Sequence, residues 1–201
     1  MMERPYILGL TGSIGMGKTT TAGFFRDAGV PVWDADATVH RLYMAGGAGA
    51  RAIEVLAPAA IRDGAVDRSA LRKAVMDTEG LLEKIEAVVH PIVAEDRLEF
   101  IETCEDAKLI VCDIPLLFET SANLWLDGVL VVTADKATQK QRVMEREGMT
   151  EEVYDTILAK QMPDNEKRER ADFLIDTSEG MDHARADVLS LIERLTGDHN
   201  A

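Results

Sequence analysis

The sequence predicts an α/β protein, with helices covering both faces of a parallel sheet in three layers. Three observations carry this expectation. The apolar runs are short and continuous rather than alternating, as strands buried on both faces require. A glycine-rich segment separates the first such run from a helical pattern, and long helical tracts separate the later ones. The 201 residues fit one domain with small insertions and suffice for a sizeable core.

The elements follow in order. "YILGL" (Tyr6–Leu10) is the first strand. "KTTTAGFFRDAG" predicts a helix with Phe24, Phe25 and Ala28 on one face and Gly29 as its stop. Val30 to Trp33 form a second strand, ending at the two aspartates of "VPVWDAD". A helical tract then runs from Ala37 to about Lys108, punctuated by turns at "GGAGA" (Gly46–Ala50) and "RDGAVD" (Arg62–Asp67). It is too long for a simple crossover and predicts a helical subdomain inserted into the sheet. Leu109 to Cys112, Val129 to Thr133 and Phe173 to Asp176 are the remaining strands. Between the last two lies a densely charged excursion, Lys136 to Arg170, with Gly148 ending one helix and Thr150 starting another. The final helix, about His183 to Leu195, carries Val188, Leu189, Ile192 and Leu195 at helical spacing and reads as a packing helix.

Composition narrows the function. The chain is 46% apolar and 29% charged, with 22 basic and 36 acidic residues for a net charge of −14. Such a surface does not grip nucleic acid or an anionic membrane by bulk electrostatics, so no nucleic-acid or membrane partner is expected. Two cysteines, Cys104 and Cys112, are too few for a disulfide framework, and Cys112 in "LIVC" reads as a small buried hydrophobe. A reducing, cytoplasmic setting is therefore expected. Neither a secretory h-region nor a membrane-spanning run is visible.

The stretch "GLTGSIGMGKTT" holds the strongest signal. Gly12 to Thr19 reads G-x-x-x-x-G-K-T between a strand and a helix, the P-loop pattern in its required context. Glycines let successive N–H groups converge on phosphate oxygens, and the helix that follows adds the positive end of its dipole. Gly12, Gly15, Met16, Gly17, Lys18, Thr19 and Thr20 are the expected nucleotide contacts, and the loop alone leaves open which nucleotide they hold. Lys18 can bridge the β- and γ-phosphates, and the Thr19 hydroxyl can ligate Mg²⁺. The fold expected is then a P-loop NTPase with its core at about 5–36, 109–135 and 171–197. The helical acceptor-binding insertion covers about 37–108 and a lid about 136–170. A regulatory GTPase would need D-x-x-G and N-K-x-D segments, which are absent. A helical insertion and a basic lid suit a small-molecule kinase, because a lid keeps water from competing for the γ-phosphoryl group. A nucleotide-dependent switch and a nucleoside monophosphate kinase stay open at this point.

Further segments carry a family resemblance. "GLTGSIGMGKTT", "VWDAD", "VHP", "DIPLLFE", the Q-x-x-R-x-x-x-R run and "EKRERADFLID" occur in the order and spacing that resemble dephospho-CoA kinases, from Tyr6 to about Leu195. The resemblance implies transfer of the ATP γ-phosphate to the ribose 3′-hydroxyl of dephospho-CoA, with Mg²⁺, by a monomer or weak homo-oligomer.

Asp34 and Asp36 follow a strand at the end where α/β sheets place ligands. Either can take the acceptor's proton, hold Mg²⁺, or cap the next helix; the resemblance favours Asp36 as base and leaves Asp34 to metal or substrate. His90, before Pro91, is either a structural turn or an acceptor-site residue. Asp113 ends a strand, where a carboxylate meets metal or substrate, or caps a helix. Leu116, Leu117 and Phe118 read as core, yet the resemblance places Leu116, Phe118 and Glu119 against the acceptor. Gln139, Arg142 and Arg146 stand at helical spacing, with both arginines on one face, either as a solvated charged helix or to close over the triphosphate, and the resemblance favours Arg142 as the catalytic one. Gln161 and Lys167 also match family positions. Three departures stand out: Ser13 replaces a common glycine, Thr177 occupies a position near adenine often held by asparagine, and His40 sits where many relatives carry arginine. Either His40 or the adjacent Arg41 would then grip an acceptor phosphate.

Overall fold

The computed structural model describes residues 4–197. In chain order the elements are β1 (Tyr6–Thr11), α1 (Lys18–Asp27), β2 (Val32–Asp34), α2 (Ala35–Leu42), α3 (Ala48–Leu56), β3 (Ile61–Arg62), β4 (Ala65–Val66), α4 (Arg68–Asp77) and α5 (Leu81–Thr103). They continue with β5 (Leu109–Asp113), β6 (Gly128–Thr133), α6 (Lys136–Met144), α7 (Glu151–Leu158), α8 (Asp164–Glu169), β7 (Phe173–Asp176) and α9 (Met181–Thr196). Two compact units divide the chain: Asp34–Thr103, and the described residues on either side of it.

The flanking unit holds a five-stranded sheet in the order β2-β5-β1-β6-β7. β1 runs parallel to both β5 and β6, and β6 parallel to β7, so β5, β1 and β6 are interior strands as the pattern predicts, whereas β2 and β7 are the edges and Leu174 of β7 is exposed. Every residue of β5 and β6 is buried. On one face Leu8, Leu10, Val111, Leu130 and Val132 pack against Phe25 of α1 and Val188 of α9. Fully burying each such large apolar side chain contributes about 1.5–3 kcal/mol. Toward the other face β1 carries Gly9, where a Cβ would stand 2.3 Å from Leu126 Cδ1 and 2.7 Å from Leu117 Cδ1. A glycine is needed there because the covering segment already fills the space. α1 stops at the expected glycine, with Gly29 at φ 81° just past the cap. In α9 the packing reading holds for Val188, whereas Leu189 is exposed and Leu191 takes its place in the core.

The unit Asp34–Thr103 has its own core, in which Ile53 and Ala57 meet Leu81, Ile85 and Val89 of α5. Asp67 caps α4 by accepting from the amides of Ser69 and Ala70. The turn expected at "RDGAVD" holds, and two other expectations need correction here. Only the start of "GGAGA" is a turn, because α3 already begins at Ala48. "RDGAVD" lies in an antiparallel hairpin of β3 and β4, its reversal made by Asp63 and Gly64 at positive φ. His90-Pro91 is no turn: both residues lie inside the 23-residue helix α5. Pro91 removes one amide from the helical ladder, and the long apolar packing of α5 carries the helix across that gap.

Candidate active site

The glycine-rich loop joins the end of β1 to α1. At Gly12 a Cβ would lie 2.7 Å from the Val132 carbonyl oxygen, so the loop is pressed against β6. Gly15 and Gly17 adopt φ 80° and 91°, the left-handed region that other residues enter at a cost. Ser13 is not among the described non-glycine residues with positive φ, which are Asp63 and Ser121, so its backbone is ordinary as its tolerance requires. The Met16 side chain is buried, and its sulfur accepts the Ala134 amide at 3.0 Å. Met16 thus anchors the loop through its side chain. Gly17 is the N-cap of α1, which has neither a side-chain cap nor an acidic residue in its first turn, an end suited to an anion.

Lys18 Nζ donates to Asp113 Oδ1 at 2.5 Å, with the two side chains 16% and 4% exposed. Strand register makes this pair, because Asp113 ends β5 opposite Leu10 of β1. Thr19 and Thr20 are exposed on the first turn of α1.

The segment that follows β6 approaches the loop from another side. Asp135 caps α6, accepting from the amides of Ala137 and Thr138 and from the Thr138 hydroxyl. Those bonds, the Thr138 hydroxyl foremost, pull its carboxyl down to about 2. α6 ends at Met144, and the Arg146 amide turns back to the Val143 carbonyl. The expectation of Arg142 and Arg146 on one helix face is therefore corrected: Arg142 is helical and Arg146 sits in the turn beyond, exposed. Both terminal nitrogens of Arg142 bind Thr177, one at Oγ1 and one at the carbonyl, each at 2.8 Å. Thr177 is buried and donates its own hydroxyl to the Met16 carbonyl at 3.0 Å.

Two glutamines meet at the crest of the loop. Gln139 of α6 donates to the Ile14 carbonyl at 2.8 Å, and Gln161 accepts the Ile14 amide at 3.1 Å. Nearby, Glu119 accepts the Met162 amide at 2.8 Å and lies 3.0 Å from Nζ of Lys167, whose side chain is fully buried. Burial pushes the Glu119 carboxyl up, but the amide and Lys167 outweigh it and hold it below the usual range. Leu116 is exposed in this segment, whereas Leu117 and Phe118 are buried. A cavity of about 950 Å³ is lined by Ser13, Met16, Gln139, Leu158 and Met162 among others.

The other expected acceptor residues lie in the unit Asp34–Thr103. Asp34 accepts the Ala37 amide at 2.9 Å and caps α2, and Asp36 is exposed in the first turn of that helix. His40 is exposed on α2 and His90 on α5. Arg41 pairs with Asp96 at 2.5 Å, and Asp96 also accepts from Thr38. The sequence did not show what Gln139, Gln161 and Arg142 hold, since these contacts join residues 125, 147 and 35 positions apart.

The dephospho-CoA kinase family model matches residues 6–183. The chain belongs to the dephospho-CoA kinase family. A dephospho-CoA kinase of Jannaschia sp. (strain CCS1) is 52% identical over 191 residues, covering 95% of this chain and 97% of the relative. That of Cereibacter sphaeroides is 50% identical over 192 residues, covering 96% of each. Among solved structures, TT1252 from Thermus thermophilus superposes with a TM-score of 0.81 at 36% identity, covering 97% of this chain and all of that one. Dephospho-CoA kinase from Campylobacter jejuni gives 0.64 at 22% identity, covering 96% and 98%, a likeness of fold. As a kinase of this family the chain is a phosphotransferase with a mostly parallel α/β core.

Proposed function

We propose that this chain transfers the γ-phosphoryl group of ATP to the ribose 3′-hydroxyl of dephospho-CoA, giving coenzyme A and ADP in the last step of CoA synthesis. Its close relatives are dephospho-CoA kinases across nearly their whole length. The observation that carries the chemistry is the phosphate loop with Lys18 fixed beside Asp113 at the ends of adjacent strands.

In this reading the amides from Gly15 to Thr20 and the start of α1 bind the β- and γ-phosphates, and Lys18 follows charge onto the leaving bridge. With both its terminal nitrogens on Thr177, Arg142 holds the loop after β7, and exposed Arg146 reaches the triphosphate. Thr177 then supports the nucleotide site from beneath instead of reading the base. Asp36 takes the proton of the attacking hydroxyl, while Asp34 fixes the start of α2. His40, Arg41 and His90 serve the anionic acceptor, with Leu116 lying against it and Phe118 and Glu119 supporting that segment. Mg²⁺ fits the donors present, since Thr19 and Asp113 are hard oxygen ligands and this ion needs few of them beside phosphate and water. When bound, the ion neutralises charge on the β- and γ-phosphates.

No helix among the described residues is long and apolar enough to cross a membrane. A cytoplasmic enzyme working on two small anionic substrates, as monomer or weak homo-oligomer and without nucleic acid or membrane, completes the reading. The test is ADP release from Mg·ATP with dephospho-CoA against a panel of nucleoside monophosphates, with product position fixed by NMR. Stimulation by dephospho-CoA alone, with phosphate on the 3′-oxygen, is expected. Stimulation by another acceptor, or none at all, overturns the assignment.

A further inference from the structure

Two residues of the charged excursion 136–170 grip one residue of the phosphate loop. Gln139 stands before residues 140–160 and Gln161 directly after them, and Ile14 receives a bond from each. The two bonds are complementary and leave no choice of amide orientation. The Ile14 carbonyl accepts only and its amide donates only, so Gln139 must present nitrogen and Gln161 oxygen. Gln139 is 5% exposed, a buried amide that a packing role alone would not retain. Ile14 lies between Ser13, whose carbonyl takes the Met16 amide, and Gly15 at φ 80°. Fixing both peptide groups of Ile14 therefore fixes the curvature that points the following amides at a phosphate.

We infer that Gln139 and Gln161 are paired positioning residues, which hold the phosphate-binding loop in shape through the two peptide groups of Ile14. The inference rests on the phosphate-loop reading of residues 12–19 and not on the identity of the acceptor. The pair also couples the loop to the lid. Residues 140–160 are thereby tied at both ends to the loop crest, so a shift of either end is felt at Ile14.

The test uses the full chain with Gln139→Met, Gln161→Met and the double variant, each close to glutamine in volume. Three quantities are measured: MgADP affinity by calorimetry, exchange of the Ile14 amide by NMR, and the thermal midpoint. Each single variant is expected to bind MgADP about tenfold more weakly, the scale of one lost hydrogen bond that orients a site. The double variant should lose less than the product of the singles, because either loss already frees the same residue. Gln161→Met should also expose the Ile14 amide to exchange, and KM for ATP should rise far more than kcat falls. Unchanged MgADP affinity in a single variant, multiplicative losses, or losses accounted for by a lowered thermal midpoint would each overturn the inference. If the wild-type chain bound MgADP but did not phosphorylate dephospho-CoA, the activity assignment would fall and the affinities would still decide this one.

Discussion

At the scale of single residues the site depends on a buried charge pair. Lys18 and Asp113 are largely withdrawn from water, and a charge so placed is stable only with its partner. Lys18→Ala is therefore expected to act twice. Phosphoryl transfer should fall by about 10²–10³-fold, as for the loss of one preorganised donor to developing charge. The thermal midpoint should fall as well, because Asp113 loses a buried partner. Single-turnover kinetics and thermal unfolding on the same sample check both, and an inactive variant of unchanged stability would deny the pair its structural part. Asp36 is exposed on the first turn of α2 and has no comparable structural burden. Asp36→Asn should slow chemistry by about 10²-fold or more at constant stability if it is the base; a near-normal kcat moves that role to another carboxylate. The sequence offered Asp34 and Asp36 as caps or catalysts, and the cap is plainly Asp34. Such a choice is local, set by which carboxylate meets the Ala37 amide, and a pattern of two aspartates does not encode it.

Elements show where legibility stopped. β1, β5, β6, β7 and α1 were readable because continuous apolar runs, a glycine stop and the loop motif agree with one another. The hairpin of β3 and β4 was not, since two-residue strands leave no period to detect. α5 lies in the expected helical tract, but its continuity across His90-Pro91 was not legible, because packing on Ile85 and Val89 outvotes the interior proline. α6 is the element on which the site leans most, for it carries Gln139 and Arg142 behind the Asp135 cap. The Asp135 carboxyl has its folded pKa at about 2, below the ordinary 3.8. A depressed acid contributes stability above its unfolded pKa, and that contribution is lost as pH falls through the folded value. The cap should therefore hold through neutral pH and fail between about 4 and 2. Carboxyl titration by NMR would show this, and a midpoint near 3.8 would mean that the cap bonds do not persist in solution. Asp135→Ala should lower the thermal midpoint and weaken ATP binding together, because Arg142 and Gln139 reach the nucleotide loops from that helix.

Across the whole molecule, stability is distributed unevenly. β5 and β6 are buried at every position, whereas α4 has no buried residue and α7 only Tyr154. Amides in β1, β5 and β6 should exchange with solvent only through global opening, and those of α4 through local opening that leaves the sheet intact. A ligand on the phosphate loop tests this division, because it slows only those openings that release it. With MgADP at 100 times its Kd, exchange in the three strands should slow by about 100-fold. Exchange in α4 should hardly change, since α4 packs within the unit Asp34–Thr103, which has its own core. The contrast follows from the sequence order of the molecule, in which a separately cored segment interrupts a sheet whose strands close around one loop. Equal slowing in α4 and in β5 would instead show that the inserted unit opens only when the sheet does, making one cooperative unit of the whole chain.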